Sequence, residues 1–126
     1  MDLSLNAVVS QKIEVSPGLI ILRVIPQGWD LPDYKAGQFT VLGLPGTAPR
    51  HAFSDEEISL KDPEKLIRRA YSVSSASVNK EYIEFYITMV SSGALTPRIF
   101  ALAAGDKIFL SKKFSGMFTL DMTEPD

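Results

Sequence analysis

"RRAYSVSS", residues 68–75, sets two arginines, a tyrosine and three serines in the middle of the chain. As a strand it places Arg69, Tyr71 and Val73 on one face and Ala70, Ser72 and Ser74 on the other, because side chains alternate across a pleat. Arginine presents a planar fork of N–H donors that matches a pair of phosphate oxygens. A tyrosine two positions along the same face lies about 7 Å away, at a rise of about 3.3 Å per residue, and can stack on a flat ring. Taken singly, such an arginine is usually a solvated charge and such a tyrosine a half-buried packing residue. Whether the stretch is more than a strand depends on the residues C-terminal to it.

"EYIEFYITMV", 81–90, alternates well enough to be a strand, and "SSG" breaks it. In "SSGALTPRIF" and onward, Leu95, Ile99, Leu102 and Ala103 fall at i, i+4, i+7 and i+8, the stripe of a short amphipathic helix. Thr96 reads as its N-cap, Pro97 as its first helical residue and Gly105 as its C-cap. A helix start carries unpaired N–H groups and about half a positive charge, so it suits a phosphate. An arginine fork, an aromatic ring, a strand and a helix start thus fall between residues 69 and 96. Together they are the parts of a pyrophosphate cradle, with "FYITM" supplying backbone edges and apolar groups to a planar ring.

Outward from there the chain reads as strands. "SLNAVVSQKIEV" (4–15) and "LIILRVI" (19–25) form a hairpin about the turn "SPG". "PQGWDLPDYKAG" is a loop and "QFTVLGL" (38–44) a third strand. Residues 45–68 are polar and proline-punctuated, with acids at Asp55, Glu56, Glu57, Asp62 and Glu64, and read as a surface excursion. "DKIFLSK" and "GMFTLD" are two further strands. Six or more strands with one helix near the end predict an antiparallel barrel with a helical lid.

Composition bounds the function. The 126 residues suit one domain, and 45% hydrophobic content suffices for a core. A net charge of −2 argues against a nucleic-acid surface. No cysteine and one histidine exclude disulfides, thiolate metal sites and a cysteine nucleophile. The N-terminus lacks the basic and apolar regions of a signal peptide, and a cytoplasmic protein is the expectation.

The chain resembles the FAD-binding domain of the ferredoxin–NADP reductase family, in particular the bacterial ferredoxin/flavodoxin reductases. The resemblance rests on "AGQF" (36–39), "RAYS" (69–72), "EFYITMV" (84–90), "GALTPRI" (93–99) and "AGD" (104–106) in that order. It implies an all-β fold, a six-stranded antiparallel Greek-key barrel with one short capping helix, over residues 1–120. Residues 121–126 would begin a linker to an NAD(P)-binding domain.

The resemblance also implies roles. Arg69 would bind the FAD pyrophosphate, and Tyr71 would lie against the isoalloxazine. Ser72 would sit near flavin N5, which makes Ser72 and Tyr71 the residues at the reacting end. Ala70 belongs to the same cofactor-binding strand. Tyr86, Ile87 and Thr88 would line the adenosine and ring edge. Gly93, Ala94, Leu95 and Thr96 would hold the pyrophosphate with backbone amides and a hydroxyl. Strict alternation turns Ser72 away from Tyr71, so the strand must end or twist there, or the backbone must make the contact.

Two departures stand out. The 45–68 excursion is longer than a simple connection, and no G-x-G-x-x-G pattern occurs anywhere. The expected partners are therefore an NAD(P)-binding domain or subunit outside these residues, and ferredoxin or flavodoxin as electron partner. The chain alone is not expected to be a complete catalyst. An oxygenase-type reductase would use the same flavin barrel. A non-flavin barrel binding module would use the same aromatics, and a His51 triad lacks the G-x-S-x-G elbow.

Overall fold

The computed structural model describes residues 5–52, 54–55, 65–75 and 81–116. Strands β1 (Ala7–Ser16) and β2 (Leu19–Pro26) form the expected hairpin. The turn between them needs Gly18, whose φ of 81° lies in the left-handed region. Strand β3 is Phe39–Pro45, β4 Leu66–Ser72, β5 Ile83–Thr88 and β6 Lys107–Leu110, with one helix, α1, at Thr96–Phe100. All pairings are antiparallel, in the order β4-β3-β6-β1-β2-β5. β6 inserts between β3 and β1, which gives the Greek-key crossover.

Alternation builds the core. Register pairs Ile20 with Ile87, Leu22 with Phe85 and Val24 with Ile83, and all of these side chains are buried. The intervening rungs, Leu19–Thr88, Ile21–Tyr86 and Arg23–Glu84, face outward. The same inner face continues through Ala7, Ile108, Leu110 and Leu42. Each of these valine, leucine, isoleucine and phenylalanine side chains contributes roughly 1.5–3 kcal/mol when removed from water. Ladder ends are completed by side chains. The Asn6 carboxamide accepts from Leu110 N–H at 2.8 Å and donates to Leu110 O at 3.0 Å, which extends the β1–β6 pairing by one step.

The two edge strands meet just past the end of β4. Ser74 N–H donates to Glu84 O at 2.9 Å, and Glu84 N–H donates to Ser75 Oγ at 3.0 Å. This closes the barrel at one end and leaves β4 and β5 parted along most of their length.

Several expectations need correction. Thr96 is the first residue of α1, and the N-cap is Leu95, with no side-chain cap hydrogen bond. The Thr96 hydroxyl is turned instead to Val90, accepting from its N–H at 2.9 Å and donating to its O at 3.1 Å. The helix stops at Phe100 with Ala101 as C-cap, because the chain leaves for β6 there and Lys12 Nζ caps the Phe100 carbonyl at 2.6 Å. Gly105, at φ 96°, serves the turn into β6, and its N–H donates to Val9 O at 2.8 Å. The described part of the 45–68 excursion is fastened to α1, although Thr47, Pro49, Ala52 and Asp55 stay exposed. His51 N–H donates to Pro97 O at 2.9 Å, and the His51 ring meets Phe100 edge-on. The "GMFTLD" strand falls almost wholly outside the described residues; just before it, Ser115 bridges Phe39.

Candidate functional site

The β4 half of the site is set by register. Arg69 lies opposite Leu42, and Tyr71 opposite Thr40, both fully buried, so the two residues take the core-side face of the strand. Each is nevertheless only half-buried, because β4 is a sheet edge where the barrel is parted. Tyr71 packs against the core, and Arg69 Nη1 donates to the Arg68 carbonyl at 2.7 Å. Ala70 and Ser72 take the opposite face, Ser72 exposed. The strand does end at Ser72, yet Val73 is buried again, so Tyr71 and Ser72 remain on opposite sides. Arg68 has its guanidinium 5.0 Å from the centre of the Phe109 ring. Gly43 makes that contact possible: a Cβ there would stand 3.3 Å from Phe109 and from the Ile67 carbonyl.

Across the parting, β5 presents Tyr86, 60% exposed, and an exposed Thr88 on its outer face. Ile87 points into the core, 1% exposed, so its side chain lines no ligand surface and only its backbone is on offer. Beside Tyr86, the hydrogen bond to Glu84 raises the Arg23 pKa above its ordinary value, with desolvation opposing it.

After β5 the chain folds into a tight loop. Gly93 N–H donates to Val90 O at 2.9 Å, and a Cβ at Gly93 would stand 3.1 Å from that oxygen. Leu95 is buried in the core and anchors the loop. Among the described residues, the amides of Ala94, Leu95 and Thr96 meet no acceptor, and Pro97 has no N–H to offer. The loop therefore presents consecutive donors. Its carbonyls are taken: Arg50 Nη1 donates to Gly93 O at 3.0 Å and Arg98 Nη1 to Ala94 O at 2.8 Å.

Comparison with known proteins decides what this arrangement belongs to. Over 94 residues the chain is 35% identical to the flavodoxin/ferredoxin–NADP reductase of Buchnera aphidicola subsp. Schizaphis graminum, covering 73% of this chain and 33% of that protein. Over 88 residues it is 38% identical to the Escherichia coli K12 flavodoxin/ferredoxin–NADP reductase, covering 70% of this chain and 29% of that one. The chain belongs to the ferredoxin–NADP reductase family.

It spans about a third of the length of these curated relatives. No family model matches it. The reductase-type barrel also appears in solved structures. A Neisseria gonorrhoeae ferredoxin NADP+ reductase with bound FAD and NADP aligns with a TM-score of 0.68 at 22% identity, over 92% of this chain and 39% of that one. A Malassezia yamatoensis flavohemoglobin with bound FAD and heme aligns with a TM-score of 0.66 at 16% identity, over 96% of this chain and 27% of that one. At these identities the likeness is one of fold.

Two residues of this reductase-family barrel escape a reading of the sequence. Arg98 lies off the apolar stripe and would be expected in solvent, yet it is 2% exposed, with Nη2 on Gly46 O at 2.8 Å. Arg50 belongs to the excursion, and its Nη2 also donates to Asp55 O at 2.6 Å and Ser91 O at 3.3 Å. The five-residue helix is wedged so tightly that every position is buried, and periodicity carries no signal of that. No cluster of three or more metal-ligating side chains occurs among the described residues, and none of their helices is long and apolar enough to cross a membrane.

Proposed function

We propose that this barrel binds FAD as the flavin-holding part of a ferredoxin/flavodoxin–NAD(P)+ reductase. One observation carries the reading: in a chain of this family, the successive amides of Ala94, Leu95 and Thr96 meet no acceptor among the described residues, at the head of α1. A diphosphate supplies the acceptors such donors need. The donor set fits the group, since Arg69 adds a charged fork on an edge strand where the barrel is parted.

Each residue then has a task. Arg69 neutralises phosphate charge, and the 94–96 amides hold phosphate oxygens. The Thr96 hydroxyl, already engaged by Val90, serves by shaping the loop. Tyr71 offers its ring to the flavin and keeps water from one side of it. Ser72 closes the strand at the reacting end. Tyr86 and Thr88 border the adenosine side, and Ile87 contributes backbone alone. FAD, when bound, supplies the hydride and single-electron chemistry. NAD(P)H is met by a nucleotide-binding domain or subunit outside these residues, with ferredoxin or flavodoxin as electron partner. The barrel domain in this reading covers residues 1–120, in a cytoplasmic protein.

Reconstitution tests the reading. The purified chain mixed with FAD is expected to retain a yellow chromophore and to quench flavin fluorescence. Arg69→Ala should weaken FAD about ten- to a hundredfold, the size of a lost charge-assisted hydrogen bond, with little change in thermal stability. A chain that stays colourless at saturating FAD sinks the flavin reading.

A further inference from the structure

We propose that residues 46–52, 54 and 55, the described part of the connection that leaves β3, form a strap that orients the phosphate-binding amides, with Arg50 as its positioning residue. The proposal rests on the flavin reading above and assigns a role to the part of the chain with no counterpart in that reading.

Peptide planarity links the strap to the donors. In a trans peptide, the C=O of one residue and the N–H of the next point in opposite directions and cannot turn separately. Arg50 Nη1 holds Gly93 O at 3.0 Å, so the Ala94 N–H is aimed away from Arg50. Arg98 Nη1 holds Ala94 O at 2.8 Å, so the Leu95 N–H is aimed away from Arg98. These are two of the amides that meet no acceptor among the described residues. A cation on a carbonyl also polarises the same peptide unit, which makes its N–H a stronger donor.

Both guanidiniums tie this loop to the connection. Arg98 also holds Gly46 O, and Arg50 also holds the Asp55 and Ser91 carbonyls. Backbone bonds run alongside: Asp55 N–H donates to Ser91 O at 3.0 Å and His51 N–H to Pro97 O at 2.9 Å. The strap is thus fastened on both sides of Gly93, the residue whose lack of a Cβ leaves its peptide easiest to rotate. Arg98 is buried and also supports the fold. Arg50 lies outside the hydrophobic core, so its removal tests orientation without emptying that core.

The test compares the 126-residue chain with Arg50→Ala and Arg50→Lys. Backbone 15N order parameters at Ala94 and Leu95, measured without ligand, are expected to fall from about 0.85 to below about 0.6 in Arg50→Ala, with those of β2 and β5 unmoved. FAD affinity is expected to fall about tenfold, or roughly 1.4 kcal/mol. Riboflavin, which carries no phosphate, is expected to titrate alike in both proteins. Lysine keeps the charge without the fork and should fall between; if Arg50→Ala does not fold, Arg50→Lys carries the same comparison. Unchanged order parameters at Ala94 and Leu95 overturn the strap, and so does an equal loss for FAD and riboflavin. If the unaltered chain fails to bind FAD, the flavin reading falls, and the order parameters alone decide the strap.

Discussion

The β1–β2 hairpin and the junction of residues 46–55 with 91–98 are both places where chain meets chain, and different forces hold them. In the hairpin, backbone groups pair with backbone groups over most of both strands, and alternate side chains fill the core. At the junction, two guanidiniums reach to carbonyls of otherwise irregular loops. The first arrangement resists any single polar change, because its stability is spread over apolar area. The second concentrates its order in a few charged side chains, which is how an irregular loop can hold its amides ready for a ligand.

Substitutions can break this contrast. The largest effect is expected on the apolar side. Phe85→Ala empties a fully buried ring and should cost about 3–5 kcal/mol, read as a lower urea midpoint, with flavin affinity of the folded fraction unchanged. Arg98→Met leaves the Gly46 and Ala94 carbonyls without their donor inside the protein. It should cost about 2–4 kcal/mol and, unlike Phe85→Ala, weaken FAD in the folded protein as well. Thr96→Val removes the hydroxyl that bonds both the N–H and the O of Val90, for about 1–2 kcal/mol. FAD titration sharpens this case: a loss well beyond that seen for Arg50→Ala would place the hydroxyl on the ligand instead. The smallest effect belongs to Glu84→Gln on the outer wall, which removes the 2.8 Å ion pair with Arg23. Solvent screens this pair, so its loss should barely move the melting temperature at any salt concentration and leave FAD binding as it was.

The two regions also differ in how they appear in the sequence. β2 and β5 announce themselves by period, and Ile83, Phe85 and Ile87 turn inward as alternation requires. The same rule that locates these strands shows that the Ile87 side chain cannot line a ligand surface. "RAYS" was legible as a candidate site because it combines a fork and a ring on one strand face, and register keeps Arg69 and Tyr71 there together. The helix was legible as an element but not in its ends. Thr96 has the chemistry of an N-cap, yet a hydrogen-bonding partner at Val90, back across the loop, claims its hydroxyl. Local propensity is a weak competitor against a buried polar group that needs a partner.

Sequence alone determined the barrel class, the family and the shared strand face of Arg69 and Tyr71, because alternation, turn chemistry and motif order are local properties of a chain. Only the tertiary structure decided which amides lack acceptors among the described residues, where the Thr96 hydroxyl goes, and that Arg50 and Arg98 fasten the described part of the β3–β4 connection to the loop. Those outcomes depend on which carbonyls come within about 3 Å of a donor, a distance set by the packing of segments far apart along the chain.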